Sequence, residues 1–154
     1  MSTVTESVDV HVPVRTAYNQ WTQFEEFPRF MDGVREIRQL DDTHLHWKTE
    51  IGGVKREFDA EITEQIPDER VAWKSIEGSQ QAGVVTFHRL DDVHTRVTVQ
   101  MDFDPQGVVE KAGAAIGAVD HRVKGDLRRF KDYIEGRGGV ETGAWRGHID
   151  RPGE

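Results

Sequence analysis

The sequence contains no cysteine, which removes disulfides, thiolate nucleophiles and cysteine-based zinc sites together and fits a reducing compartment. It has no apolar run near the roughly 18 residues a membrane-spanning helix requires, and its start, MSTVTESVDV, has neither the basic nor the apolar region of a secretory signal. A soluble, cytoplasmic protein with no transmembrane segment is expected. Basic charge is also scarce: 20 Lys and Arg stand against 28 Asp and Glu, a net charge of -8. Spread along the chain, that balance offers no clustered basic surface for a phosphate backbone, so nucleic acid is not an expected partner. G-x-S-x-G, H-E-x-x-H and a phosphate-cradling glycine loop are all missing. Nucleophilic, zinc-hydrolytic and nucleotide-dependent chemistry are therefore disfavoured, and no cofactor is expected.

What is present fits one domain, since a chain of 154 residues buries about 70% of its unfolded surface. Residues 3–12, TVTESVDVHV, alternate apolar and polar and predict a strand buried on one face, with Glu6 as a carboxylate on the apolar side. Pro13 stops the strand, and Val14, Ala17, Tyr18 and Trp21 follow at helical spacing. Aromatics are only 8% of the chain, yet QWTQFEEFPRFM gathers Trp21, Phe24, Phe27 and Phe30 around Pro28. Proline lacks the N–H that a continuing helix needs, so two short helices, or a helix and a turn, are expected there.

Residues 34–103 predict six antiparallel strands, punctuated by Asp41-Asp42, Gly52-Gly53, Pro67-Asp68, Gly78-Ser79 and Asp91-Asp92. Parity places Leu45, Trp47, Ile51, Val54, Phe58, Ala60, Ile62, Ile66, Val71, Trp73, Val85, Phe87, Val97, Val99, Met101 and Phe103 on one apolar face. The segment VREIRQL breaks the alternation, which predicts a bulge or a sheet edge. From Val108 to Ile134 the apolar period becomes helical, and the helix should end in the glycines of 136–139. Residues 1–137 thus read as a single domain and residues 138–154, polar and glycine-rich around Trp145, as a flexible tail.

The segments VPVRTAYNQWTQFEEFPRFM and AGVVTFHRLDDVHTRVTVQMDF, with the terminal helix that carries FKDYIE, together resemble the SRPBCC, or START-like (birch-allergen-like), superfamily and its polyketide cyclase/dehydrase and coenzyme Q-binding branch. The resemblance implies an α+β helix-grip fold: a curved seven-stranded antiparallel sheet around a long C-terminal helix, two short helices between strands 1 and 2, and an apolar cavity. It further implies an apolar small-molecule partner (a lipid, isoprenoid quinone or polyketide) held by a carrier or sensor. A polyketide aromatase/cyclase and a protein-interaction module with a packed core are the alternatives. A homodimer is left open.

Phe27, Phe30, Trp47, Phe58, Trp73, Phe87, Met101, Phe103 and Ile116 are the candidate ligand-binding residues, although any half-buried sheet needs such residues for its core. Charged residues of apolar parity are Glu6, Arg56, Glu64, Glu77 and Arg89, since an unpaired buried charge is costly. For a cyclase, Arg56 would polarise a carbonyl, with Glu64, Ser75 or Tyr133 transferring protons. A salt bridge or a solvent-reaching strand end is the structural alternative for Arg56. Gly113 and Gly117 in the long helix suggest either a flexible gate or close approach to the sheet. His44-Leu45-His46 puts two imidazoles on one face, but on the solvated one, so no metal site is expected. His88 has the wrong parity for a base in the cavity.

Overall fold

The computed structural model describes residues 2–51, 54–76, 81–103 and 109–149. Along the chain run β1 (Ser2–Val10), α1 (Val14–Trp21), a 3-10 helix (Phe24–Arg29), β2 (Val34–Gln39), β3 (His44–Ile51), β4 (Val54–Ile66), β5 (Arg70–Ser75), β6 (Gln81–Asp91), β7 (His94–Phe103) and α2 (Val109–Gly136). Pro28 lies inside the 3-10 turn, where its missing N–H and fixed φ are tolerated because no longer α-helical ladder is attempted.

The strands form one antiparallel sheet in the order β1-β7-β6-β5-β4-β3-β2. β2 to β7 are a meander, and β1 returns to pair with the last strand, placing Val4 opposite Met101 and Val8 opposite Val97. The curled sheet grips α2 along its concave side, the helix-grip architecture. Val123, Leu127, Phe130 and Ile134 of α2 are buried in the same core as the inward residues of the strands, so the 3.6-residue period of the helix meets the two-residue period of the sheet. Val108 lies outside the described residues.

β2 is both an edge strand and bulged, its register shifting between Val34 and Glu36. A second bulge lies between Ile62 and Glu64 in β4. An extra residue reverses the inward parity beyond it, so Gln65 is buried at 1% exposure while Ile66, expected inside, is only half-buried.

The turns β2–β3 and β6–β7 share the sequence D-D-x-H and the same solution. Asp41 Oδ1 accepts from the backbone N–H groups of Thr43 and His44 and meets His44 Nδ1 at 2.9 Å. Asp91 Oδ1 accepts from Val93 N–H and meets His94 Nδ1 at 2.9 Å. In each, an aspartate side chain replaces a backbone turn partner.

Candidate functional site

One end of the concave face is closed by rings. Trp21, Phe24, Phe27, Phe30 and Phe130 are all between 0 and 3% exposed. Trp21 packs on Phe27, Phe30 and Phe130 with centroids 5.1, 5.7 and 5.1 Å away, spacings at which aromatic pairs stabilise each other beyond their burial. α2 holds this plug by its backbone: Arg129 Nε donates to Phe30 O at 3.0 Å, and Asp32 N donates to Asp126 Oδ1 at 3.1 Å. Burial pushes the Asp126 carboxyl above its ordinary range, against the pull of Arg129. Phe27 and Phe30, candidates for the ligand, are the centre of this sealed end.

The remaining candidate rings are packed less completely. Trp47, Phe58, Trp73 and Phe87 keep 7 to 8% exposure, with Val99 at 6% and Val123 at 8%, while Met101 is half-buried. Trp47 and Phe58, directly opposite in the β3–β4 register, stack at 5.9 Å and 10°. Trp47 reaches Phe27 of the plug at 6.1 Å, and its buried indole N–H has no hydrogen-bond partner. Trp73 lies flat over its cross-strand neighbour Gly83, where an added Cβ would come within 2.4 Å of the indole. Phe87 meets Tyr18 edge-on at 5.4 Å. The side chains of Phe103 and Ile116 lie outside the described residues.

α2 runs alongside β1 in the same direction. Lys124 Nζ is 3.8 Å from Glu6, Lys131 Nζ donates to Asp9 O at 2.9 Å, and His11 N donates to Glu135 at 2.8 Å. Its first turns therefore extend toward the end of the sheet where β1 begins, away from the plug's fastenings at Asp126 and Arg129. Gly117, in that half, is exposed, and a Cβ built on it would touch nothing within 4 Å. Close approach to the sheet does not explain it. The side chain position of Gly113 lies outside the described residues.

The polar candidates occupy separate surroundings. Arg56 is exposed in β4, opposite Thr49. Glu64 is 8% exposed and sits 3.5 Å from Arg70 Nε. Ser75 Oγ accepts the Gln81 N–H at 3.1 Å. Tyr133 packs against Phe30 at 5.5 Å, under Arg137, and its buried hydroxyl has no partner. Glu6 lies beside Asp120 and Lys124, and its hydrogen bond with Asp120 holds its pKa above the ordinary carboxylate range. Arg89 and His88 are exposed, Arg89 bonding Asp92. Glu77 lies outside the described residues.

His44 and His46 do share the outer face, and the register adds what sequence did not fix. His46 stands opposite Asp59, with Nδ1 2.7 Å from Asp59 Oδ1 and Nε2 2.9 Å from Glu57 Oε1. Among the described residues, no group of three or more His, Asp or Glu is placed to hold a metal ion. A recess of about 210 Å³ opens elsewhere, lined by His11, Glu135, Gly138 and Gly139.

Sequence reasoning missed one polar surface entirely. Asn19, Gln20, Thr22 and Gln65 are 0 to 3% exposed, and their partners are in the segment after α2, expected as a flexible tail. Gln20 and Thr142 exchange two hydrogen bonds at 3.0 Å each, Asn19 Nδ2 donates to Glu141 at 2.9 Å, and Trp145 N donates to Thr22 Oγ1 at 3.0 Å. Gln65 and Ile149 exchange backbone hydrogen bonds at 2.8 Å as an antiparallel bridge. The available signal was the pair of amides, Asn19-Gln20, on a helix whose neighbours are core.

Comparison with known proteins bears on the same span. Residues 10–132 match the family described as polyketide cyclase/dehydrase and lipid transport. An uncharacterised 17.2 kDa protein of Streptomyces lincolnensis is 63% identical over 150 residues, covering 97% of this chain and 99% of that protein. Among solved structures, the Zhui aromatase/cyclase from Streptomyces sp. R1128 aligns with a TM-score of 0.76 at 14% identity, over 89% of this chain and 95% of that one. A START superfamily protein from Mycobacterium smegmatis aligns with a TM-score of 0.74 at 14% identity, over 88% and 98%. At such identities the structural likeness carries the fold alone.

Proposed function

Because the chain belongs to the polyketide cyclase/dehydrase and lipid transport family, we propose that it binds a hydrophobic small molecule, such as a lipid, an isoprenoid quinone or a polyketide-like compound, between the sheet and α2. Its role is that of a carrier or sensor. The observation that carries this reading is the difference in packing among the rings of the concave face. Plug rings are at 0 to 3% exposure, whereas Trp47, Phe58, Trp73 and Phe87 stay at 7 to 8%. Apolar rings with few polar groups among them are what a site for an apolar ligand requires. Entry belongs at the end where β1 and α2 begin, since the other end is tied by Arg129 and Asp126.

A carrier or sensor is preferred to a cyclase because a proton-shuttling site needs its acid, base and carbonyl-polarising group within hydrogen-bond reach of one substrate. Glu64, Ser75 and Tyr133 have separate neighbours instead, and Arg56 is exposed on β4. The test is native mass spectrometry of the purified protein, with solvent extraction and a thermal-shift panel of fatty acids, isoprenoid quinones and polycyclic phenols. A co-purifying apolar species, or a saturable rise in melting temperature with one class, is expected. An empty protein that no class stabilises would overturn the reading.

A further inference from the structure

Gly83 lies near the start of β6 and alternates with Val85 and Phe87, both buried, so the place of its missing side chain is on the inner face of the sheet. We propose that Gly83 is a specificity-determining residue of the ligand site, an inference that rests on the ligand-site reading above. It lets the indole of Trp73 lie down against the sheet, and thereby sets how thick an apolar molecule fits between the sheet and α2.

Trp73 stands directly opposite Gly83 in the β5–β6 register. A Cβ added to Gly83 would come within 2.4 Å of Trp73 Cζ2 and within 2.8 Å of the ring atoms on either side of it, Cε2 and Cη2. Equal flanking distances so close to the central one put the added atom under the face of the ring, because an edge-on approach would leave the flanking atoms clearly further off. The indole therefore covers Gly83 face-on, in the volume that any other residue's side chain would fill. Carbon atoms in contact are about 3.5 Å apart or more, so even alanine must push the ring up from the sheet.

One row of the sheet carries Ile62, Trp73, Gly83, Met101 and Val4, each paired with the next across β4, β5, β6, β7 and β1. Gly83 is the middle of that row. An interior glycine weakens a strand and is kept where another group must approach the backbone closely, and here that group is the indole. The row is not completely filled: Ile62 is 1% exposed, whereas Trp73 is 8% exposed and Met101 half-buried. With one face of the indole resting on Gly83, the opposite face is turned away from the sheet, toward the space under α2. Its height above β6 is the height of the floor. Val4 is close to the start of β1, which puts this floor at the end assigned to entry.

Two neutral alcohols of equal carbon number, flat 2-naphthol and globular 1-adamantanol, serve as probes on the full-length protein, with dissociation constants from NMR titration. Gly83→Ala should shift the ratio of the two constants about tenfold in favour of 2-naphthol, the scale on which an apolar pocket discriminates one methylene. Trp73→Phe, which shortens the ring over Gly83, should shift the ratio the other way. The double variant should return close to the wild-type ratio, because both changes act on one volume. A general loss of affinity leaves a ratio unchanged, and Trp73→Phe decides the matter where Gly83→Ala does not fold. Labelling with 5-fluorotryptophan supplies a readout that needs no ligand: the Trp73 fluorine resonance, identified by its loss in Trp73→Phe, should move in Gly83→Ala. A glycine that serves packing alone would lower the melting temperature when substituted and leave the ratio unchanged in the folded variants, and that result would overturn this inference while sparing the ligand site. An unmoved Trp73 resonance would overturn it too. A wild-type protein that binds neither alcohol would overturn the ligand-site reading and the role of Gly83 together.

Discussion

His46 has a carboxylate at each ring nitrogen, Asp59 at 2.7 Å and Glu57 at 2.9 Å. Both nitrogens can donate only in the imidazolium form, so these hydrogen bonds, Asp59 first, raise its pKa above the ordinary 6.5. Asp41 shows the opposite shift: hydrogen bonds from Thr43 N–H and then His44 lower it from 3.8 to about 2. A raised histidine contributes stability that is full below 6.5 and lost as pH rises through the folded value. A lowered aspartate contributes stability that is present above 3.8 and lost as pH falls through about 2. Together they favour the folded state most between about pH 4 and pH 6.5. Melting temperature should therefore fall as pH climbs through neutrality, and His46→Asn should flatten that alkaline limb while leaving the acid limb in place. An unchanged alkaline slope in the variant would refute the assignment. The H-x-H spacing is visible in the sequence, but Asp59 comes opposite His46 only through the β3–β4 register, fixed by which faces the two strands bury.

Among the elements, α2 carries the clearest contrast between what stabilises and what is tolerated. Its second half is anchored by Val123, Leu127, Phe130 and Ile134, whereas Gly117 is exposed with open space where its Cβ would be. Gly117→Ala should thus stabilise by about 1 kcal/mol through helix propensity, raising the melting temperature by roughly 2–4 °C for a chain this size. Calorimetry checks it, and a lowered melting temperature would mean that the glycine serves a contact absent from this conformation. If loosening of α2 admits the ligand, the same variant should also take it up more slowly in stopped-flow fluorescence. The bulge in β4 teaches a related lesson. Strict alternation through ITEQI put Ile66 inside; one inserted residue put Gln65 there instead, and no residue preference marks that position in advance.

Across the whole molecule, the plug and the looser rings should respond differently to substitution. Phe30→Ala removes a ring at 1% exposure that contacts Trp21, Phe27, Phe130 and Tyr133, and should cost about 3–5 kcal/mol. Trp73→Phe trims a ring at 8% exposure and should cost less than the full ring deletion at Phe30, yet weaken any apolar ligand that co-purifies. Chemical denaturation paired with native mass spectrometry separates the two effects. Equal stability losses with unaltered ligand would place the site elsewhere.

Hydrophobic period alone determined that one sheet and one long helix bury a common core, because periods of two and 3.6 leave different marks in a sequence. Pro28 determined that no α-helix continues through residues 24–29, which form a 3-10 turn instead, and the Asp-Asp pairs determined two of the turns. Tertiary structure decided which rings form the sealed end and which are packed a little less completely, since that depends on where α2 crosses the sheet and where Arg129 and Asp126 reach the backbone of residues 30–32. It also decided the fate of residues 141–149. Their polar, glycine-rich composition gives no periodic signal, and their partners, Asn19, Gln20 and Gln65, are about 80 to 120 residues away, where only the folded chain brings donors and acceptors together.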